Sequence, residues 1–278
     1  MTGQLFYPTK LKLAILENLA RFEVLTTREL SFRIFGDDTH SHITTINKTL
    51  DILDKRHRLV NRIFFRPERY TGRGNLPNAS GLSADGVEFA HKEWPATYPK
   101  EFPRTHSPHT IEHDLNRARA HIQIFDLAAA KEWNLGWEKG GNNIVKPDDR
   151  LEITARKTTH FFLEWEEKKK DFHQLYEKFK PYVDNHGSGK MKEAYGFRYY
   201  DVLIPMRDAE AMNNVLLHFQ GECNCVDMKL RKMHAKGPYE LRSDILAFTT
   251  HEDMLTSVAG PIFRTPTGKT LSLLDIVQ

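Results

Sequence analysis

The stretch SHITTINKTLDILDKRHRLVNRIFFRPERYTGRGN, residues 41–75, decides how the first third of the chain is read. Ile43, Ile46, Leu50 and Leu53 recur at three- and four-residue intervals and so line one side of a helix. Thr44, Thr45, Asn47, Lys48, Asp51, Lys55 and Arg56 fall on the other side. Ser41 is the expected cap, with the helix running from His42 to about Arg58. Leu59 to Arg66 follows as a strand with Arg62 and Arg66 in it, and Thr71-Gly72-Arg73-Gly74-Asn75 is a turn.

Two more helices precede this stretch. Lys10 to Arg21 carries an apolar face of Leu11, Leu13, Ile15, Leu16 and Leu19. Thr26 or Thr27 can cap a second helix from Arg28 to about Phe35, which ends at Gly36. After the turn, Gly81-Leu82-Ser83-Ala84-Asp85-Gly86 closes the unit and leads into a further helix. Three helices, a strand, a basic glycine loop and a strand make the order of a winged helix-turn-helix. In that arrangement Thr44, Thr45, Asn47 and Lys48 would face base edges of double-stranded DNA. Arg62, Arg66, Arg69 and Arg73 would meet phosphate or the minor groove.

Charge agrees with this polarity. Residues 1–75 hold 13 lysines and arginines against 8 aspartates and glutamates, a balance of +5, which leaves −2 for the rest of a chain of net +3. A basic module on a nearly neutral body fits a protein that meets phosphate at one end. With 40% hydrophobic and 28% charged residues, the chain can bury a core and is not a disordered one. The two cysteines, Cys223 and Cys225, cannot staple a fold, which points to a reducing compartment. The N-terminus reads as lacking a signal peptide and no stretch reaches a membrane span, so a cytoplasmic protein without membrane contact is expected.

Four prolines at 95, 99, 103 and 108 mark a linker over 94–109, separating residues 1–93 from residues 110–278. Thr110 caps a helix from Ile111 to Glu132. Strands are expected at Trp133–Glu138, Asn143–Ile153, His160–Trp165, Tyr199–Pro205 and Ile245–Thr249, with helices at Lys168–Val183 and Ala209–Phe219. The whole is an α+β / α/β protein, with the alternating second part built on a mixed sheet.

That second part holds the one constellation capable of chemistry. Lys146-Pro147-Asp148 is followed, 16 residues past Asp148, by Glu164-Trp165-Glu166. This resembles the nucleases with a Pro-Asp and an Asp/Glu-x-Lys motif, in which two acids on adjacent strands hold Mg²⁺ and a lysine orients water. Position 166 is Glu where such a nuclease needs Lys; Lys168, on the same face of an extended strand, could stand in, although a solvated helix start is the simpler account of Lys168-Lys169-Lys170. Asp148 and Glu164 are the candidate metal ligands, and Asp148, Glu164, Glu166 and Lys168 the candidate catalytic set if the chain is a Mg²⁺-dependent endonuclease or nickase. The favoured expectation is a non-enzyme without a cofactor.

The order of parts resembles the bacterial replication-relaxation family. The resemblance rests on the N-terminal module with Gly81 to Gly86, His113-Asp114-Leu115, Pro147-Asp148, Phe161-Phe162-Leu163-Glu164-Trp165-Glu166, and Lys178 with Tyr182. It extends to the strand and helix from Tyr200 to Leu217, and to Ile262-Phe263-Arg264 with Leu271-Ser272-Leu273. It implies a plasmid- or mobile-element-borne DNA-binding protein in replication, mobilisation or transcriptional control, with a repurposed nuclease-like domain. The implied partners are double-stranded DNA and a relaxase or replication protein, with room for a homodimer. Trp165 is bulkier than the family's aliphatic residue, and Glu167-Lys168-Lys169-Lys170 replaces a small polar turn.

Three weaker features stand beside these. His218, Cys223, Cys225 and His234 are zinc-type ligands at an unusual spacing. Gly187-Ser188-Gly189-Lys190 is similar to a phosphate loop but lacks the upstream glycine, and reads as a flexible basic surface loop. His113 reads as a core histidine bonded within its helix layer.

Overall fold

The computed structural model describes residues 8–64, 78–95, 110–140, 144–167, 171–221 and 240–277. The expected roles of Arg66, Arg69, Arg73, Lys168, Cys223, Cys225 and His234, and the linker from residue 96 to 109, lie outside the described residues. The chain forms two compact units, Met1–Ile122 and Gln123–Gln278.

In the first unit α1 (Lys10–Phe22) leads into β1 (Val24–Thr26) and α2 (Thr27–Phe35). Thr26 and Glu29 form a reciprocal capping box at the start of α2, and Gly36, at φ 83°, ends it in the left-handed region. Then come α3 (His40–Lys55), β2 (Val60–Phe64), β3 (Asn78–Leu82) and α4 (Ala84–Glu93). The strands form a three-stranded antiparallel sheet in the order β1-β3-β2. Ile15, Leu16, Leu19, Ile46, Leu50 and Leu53 are fully buried, while Leu11, Leu13 and Ile43 of the same expected faces are half-buried, so most of the helical periodicity read from the sequence forms the core.

One boundary and one strand differ from the sequence reading. α3 starts at His40, not His42, because Asp37 organises its entry: its carboxylate accepts from the Thr39 amide at 3.1 Å and pairs with His42 Nδ1 at 2.6 Å. Strand β1 was not expected. It is three residues long and owes its existence to pairing with β3, far away in the chain. Gly86 has a packing reason to be glycine: a Cβ there would overlap the Leu59 carbonyl oxygen, the group that accepts the Ser83 amide at 3.1 Å.

The helix α5 (Ile111–Ala130) contains the division between units. Its first half belongs with the N-terminal unit, where Arg119 Nε donates to Glu29 at 2.5 Å and His121 meets the edge of Phe22. The fold therefore divides later than the proline-rich stretch suggests.

The second unit is a seven-stranded mixed sheet in the order β10-β9-β8-β7-β6-β5-β4. β4 (Asn134–Lys139), β5 (Asp149–Thr154) and β6 (Thr158–Leu163) are antiparallel neighbours. β7 (Asp201–Met206) and β8 (Leu246–Thr250) run parallel to β6, reached through helical crossovers. β9 (Phe263–Arg264) and β10 (Thr270–Leu271) finish the sheet with two antiparallel pairings. The helices are α6 (Phe172–Asn185), α7 (Gly189–Tyr195), α8 (Ala209–Phe219), α9 (His251–Thr256) and α10 (Leu273–Ile276). Leu175, Phe179 and Tyr182 of α6, with Met212, Leu216 and Phe219 of α8, pack on Phe162, Val202, Ile204, Leu246 and Phe248.

The mixed α/β class stands, with local corrections. α6 begins at Phe172 with Asp171 as its cap, four residues later than expected. Gly187-Ser188-Gly189-Lys190 is no loose loop: Ser188 caps α7 by accepting from the Met191 amide at 3.2 Å, and Met191 is fully buried. Among the described residues no helix is long and apolar enough to cross a membrane.

Candidate functional site

On α3 the buried stripe leaves Thr45 and Lys48 exposed and Thr44 and Asn47 half-buried. Lys48 has no side-chain partner among the described residues. The Thr45 hydroxyl donates to the Ser41 carbonyl at 2.9 Å, leaving its oxygen free to accept. Asn47 is already engaged: its Oδ1 accepts from Arg62 Nη2 at 2.7 Å and lies 3.1 Å from Thr27 Oγ1. Thr27 Oγ1 is also 2.9 Å from Asn78 Oδ1, and its single proton serves one of the two.

Arg62 departs from the expectation of a phosphate contact. Its side chain is only 10% exposed, and its guanidinium binds Asp51 of α3 together with Asn47. The alternation of β2 turns residue 62 towards α3, so its charge neutralises Asp51 instead of facing outward. Of the four residues expected to face base edges, Thr45 and Lys48 are the ones that remain outward.

The acidic constellation lies in the second unit. Asp148 is the residue before β5 and Glu164 the residue after β6, so both sit at strand ends and not within the strands. The register Asp149↔Leu163 brings these ends side by side. Asp148 Oδ2 accepts from the Trp165 amide at 2.8 Å, while the Asp148 amide donates to the Leu163 carbonyl at 3.0 Å. Glu166 continues the edge, its amide donating to the Pro205 carbonyl at 2.9 Å. The side chains of Glu164 and Glu166 are 2% and 1% exposed.

Such burial of two carboxylates calls for a cation, and α6 provides it. Lys178 Nζ lies 2.6 Å from Glu164 Oε2 and bonds Glu166 Oε1 as well. One helical turn on, the Tyr182 hydroxyl donates to Glu164 Oε1, and the Tyr182 carbonyl in turn accepts from the Tyr200 hydroxyl at 2.5 Å. Burial pushes the Glu164 carboxyl up to about 7, with Lys178 opposing and Asp148 adding to the rise. Burial works against the charge on Lys178, but the Glu164 and Glu166 carboxylates outweigh it and hold the ammonium protonated well above its ordinary range. Burial, then Glu164, raise the Tyr182 phenol too, so it stays a donor.

Reading the sequence placed Asp148, Glu164 and Glu166 together but not their partners. Lys178 and Tyr182 stood in it only as family landmarks, and the four-residue interval between them was the available signal that they share a helix face. Mg²⁺ does not fit the arrangement as it stands. Glutamate oxygens that a metal would need are bonded to the Lys178 ammonium, and among the described residues no three His, Cys, Asp or Glu side chains converge on a point that could hold a metal. Behind the acids, the buried Trp165 indole stacks on His251 with ring centres 4.3 Å apart.

No curated protein and no solved structure matches the chain. A family model, that of replication-relaxation proteins, matches residues 16–199, which takes in the three-helix unit, the acidic cluster and the helix that supplies its lysine. By that match, the chain belongs to the replication-relaxation family.

Proposed function

We propose that this is a DNA-binding protein of a mobile element, acting in replication, mobilisation or transcriptional control. Its first unit is a winged helix-turn-helix that lays α3 in the major groove of duplex DNA. The observation carrying this reading is the outward pair Thr45 and Lys48, opposite the buried Ile46, Leu50 and Leu53, on a helix whose Asp51 is cancelled by Arg62. Asn47 keeps its amide for a base edge while its oxygen holds Arg62. Arg66, Arg69 and Arg73, outside the described residues, are proposed as phosphate contacts. Family membership supports a place in replication.

The second unit is a nuclease-like domain that does not cleave. Asp148 and Glu164 lie at adjacent strand ends, as metal-dependent nucleases require, but Lys178 neutralises the cluster from within. Its role is to hold a protein partner, a relaxase or replication protein, or a second copy of the chain.

A gel shift on DNA from the protein's own genetic neighbourhood, in EDTA and then in Mg²⁺, tests both parts. A discrete complex is expected in EDTA, with no new DNA ends in Mg²⁺. Thr45→Ala with Lys48→Ala should weaken that complex about tenfold, and Arg66→Ala, which removes one proposed phosphate contact, should lower the log–log salt slope by about 0.9. Asp148→Ala should bind as wild type. Undiminished binding by the α3 variant would remove the winged-helix reading. Nicked DNA appearing only with Mg²⁺, and lost in Asp148→Ala, would establish the endonuclease instead.

A further inference from the structure

The segment from His186 to Tyr200 is where the second unit shows both cations and an exposed aromatic ring. Tyr199 is 67% exposed, the most exposed of the large apolar side chains among the described residues. It does not hang free. The half-buried His186 ring stands edge-on to it, with centres 5.4 Å apart. Gly187, at φ +77°, lies beneath, so close that a Cβ there would stand 3.4 Å from Tyr199 Cε1. The Gly187 amide donates to the Arg198 carbonyl at 2.8 Å, which ties this turn to the strand approach carrying Tyr199.

Both sides of the turn are anchored in the core. Met191 is fully buried below α7, and Tyr200, the neighbour of Tyr199, is buried with its hydroxyl on the Tyr182 carbonyl. In the same segment Lys190, Lys192 and Arg198 are all exposed, and none has a side-chain partner among the described residues. Only Glu193 opposes them between residues 186 and 199. Burial lowers the His186 pKa, which keeps that ring neutral and adds no charge of its own to the platform.

A rigid, outward aromatic face beside unpaired cations is the chemistry of a stacking platform. It accepts an unstacked base on the ring and phosphates on the flanking charges. Duplex DNA cannot use the ring, because its bases are stacked on each other. We propose that Tyr199, supported by His186 and Gly187 and flanked by Lys190, Lys192 and Arg198, binds single-stranded DNA. The proposal rests on the reading that the chain handles DNA, but on a surface that shares no residue with α3.

Full-length protein titrated against a labelled oligothymidylate of about 16 nucleotides, followed by anisotropy, tests it. Tyr199→Ala should weaken binding about tenfold, and Tyr199→Leu equally, since leucine is apolar but offers no flat face. Tyr199→Phe should bind as wild type. Combined Lys190→Ala, Lys192→Ala and Arg198→Ala should flatten the salt dependence by about 0.7 per lost contact. The same Tyr199 variants should leave duplex binding unchanged, whereas Thr45→Ala with Lys48→Ala should do the reverse, so the two surfaces fail separately. Absence of oligothymidylate binding overturns the proposal. So does wild-type affinity in Tyr199→Ala or Tyr199→Leu, or a loss of duplex binding that parallels the single-strand loss.

Discussion

Replacing Lys178 by methionine is expected to cost about 3–5 kcal/mol of folding stability at neutral pH and above. The side chain that takes its place is of similar length, so little packing is lost. What is lost is the ammonium between Glu164 and Glu166, whose side chains are 2% and 1% exposed and have no access to water as a substitute. The buried pair then carries uncompensated charge. Glu164, whose carboxyl burial already raises, can shed its charge by taking up a proton, so the loss should shrink as the pH is lowered towards 5. Glu164→Gln and Glu166→Gln added to Lys178→Met should restore most of the stability, because a neutral cluster of the same shape needs no cation. Urea unfolding of the single and triple variants measures both effects. Equal stability of Lys178→Met and wild type at pH 8 would show that the ammonium does not hold the cluster.

The second large effect is a pH dependence with a defined sign. Burial raises the Glu164 carboxyl from 4.5 to about 7 in the native protein. Between those values the folded chain holds a proton that the unfolded chain has already released. The contribution is therefore fully present below about 4.5, and stability falls as the pH rises through 7. At 1.36 kcal/mol for each unit, the fall attributable to this residue approaches ~3 kcal/mol. Asp201, raised by burial to about 6, adds a smaller fall of the same sign that ends at lower pH. Glu164→Gln should remove its own share and leave that of Asp201, so the difference between wild type and variant isolates the residue. Denaturant midpoints measured from pH 5 to pH 8 decide it. A variant that keeps the full slope would mean that Glu164 is ionised throughout.

Helical periodicity and capping chemistry carried the reading of the first unit a long way. The apolar faces of α1 and α3, the Thr26 cap and the Gly36 stop are local features, and each lies where the residues suggest. Apart from the start of α3, which the nearby Asp37 sets, the failures share one cause, a contact distant in sequence. Ser41 looks like a better cap than Thr39, but Asp37 reaches across the turn and starts α3 earlier. Arg62 looks like a phosphate ligand until the pairing of β2 with β3 and the placement of Asp51 turn it inward. Gly187 to Lys190 reads as a loop because nothing local reveals that Met191 has a core to enter. In the acidic cluster, the two strands could be aligned from their motifs. The lysine that neutralises them comes from a helix whose rotation about its own axis no strand motif contains.

The contact of Arg62 with Asn47 and Asp51 joins β2 to α3 at two positions one helical turn apart, and Thr27 and Asn78 extend it to α2 and β3. Helix and hairpin are thereby yoked: neither can slide along the other without breaking charged hydrogen bonds. In the docking proposed above, α3 in the major groove and strand β2 beside it would keep a fixed offset. On that proposal, the spacing between bases read and phosphates held would be a property of the protein itself, which a DNA site would have to match in length and twist before any letter of its sequence is compared.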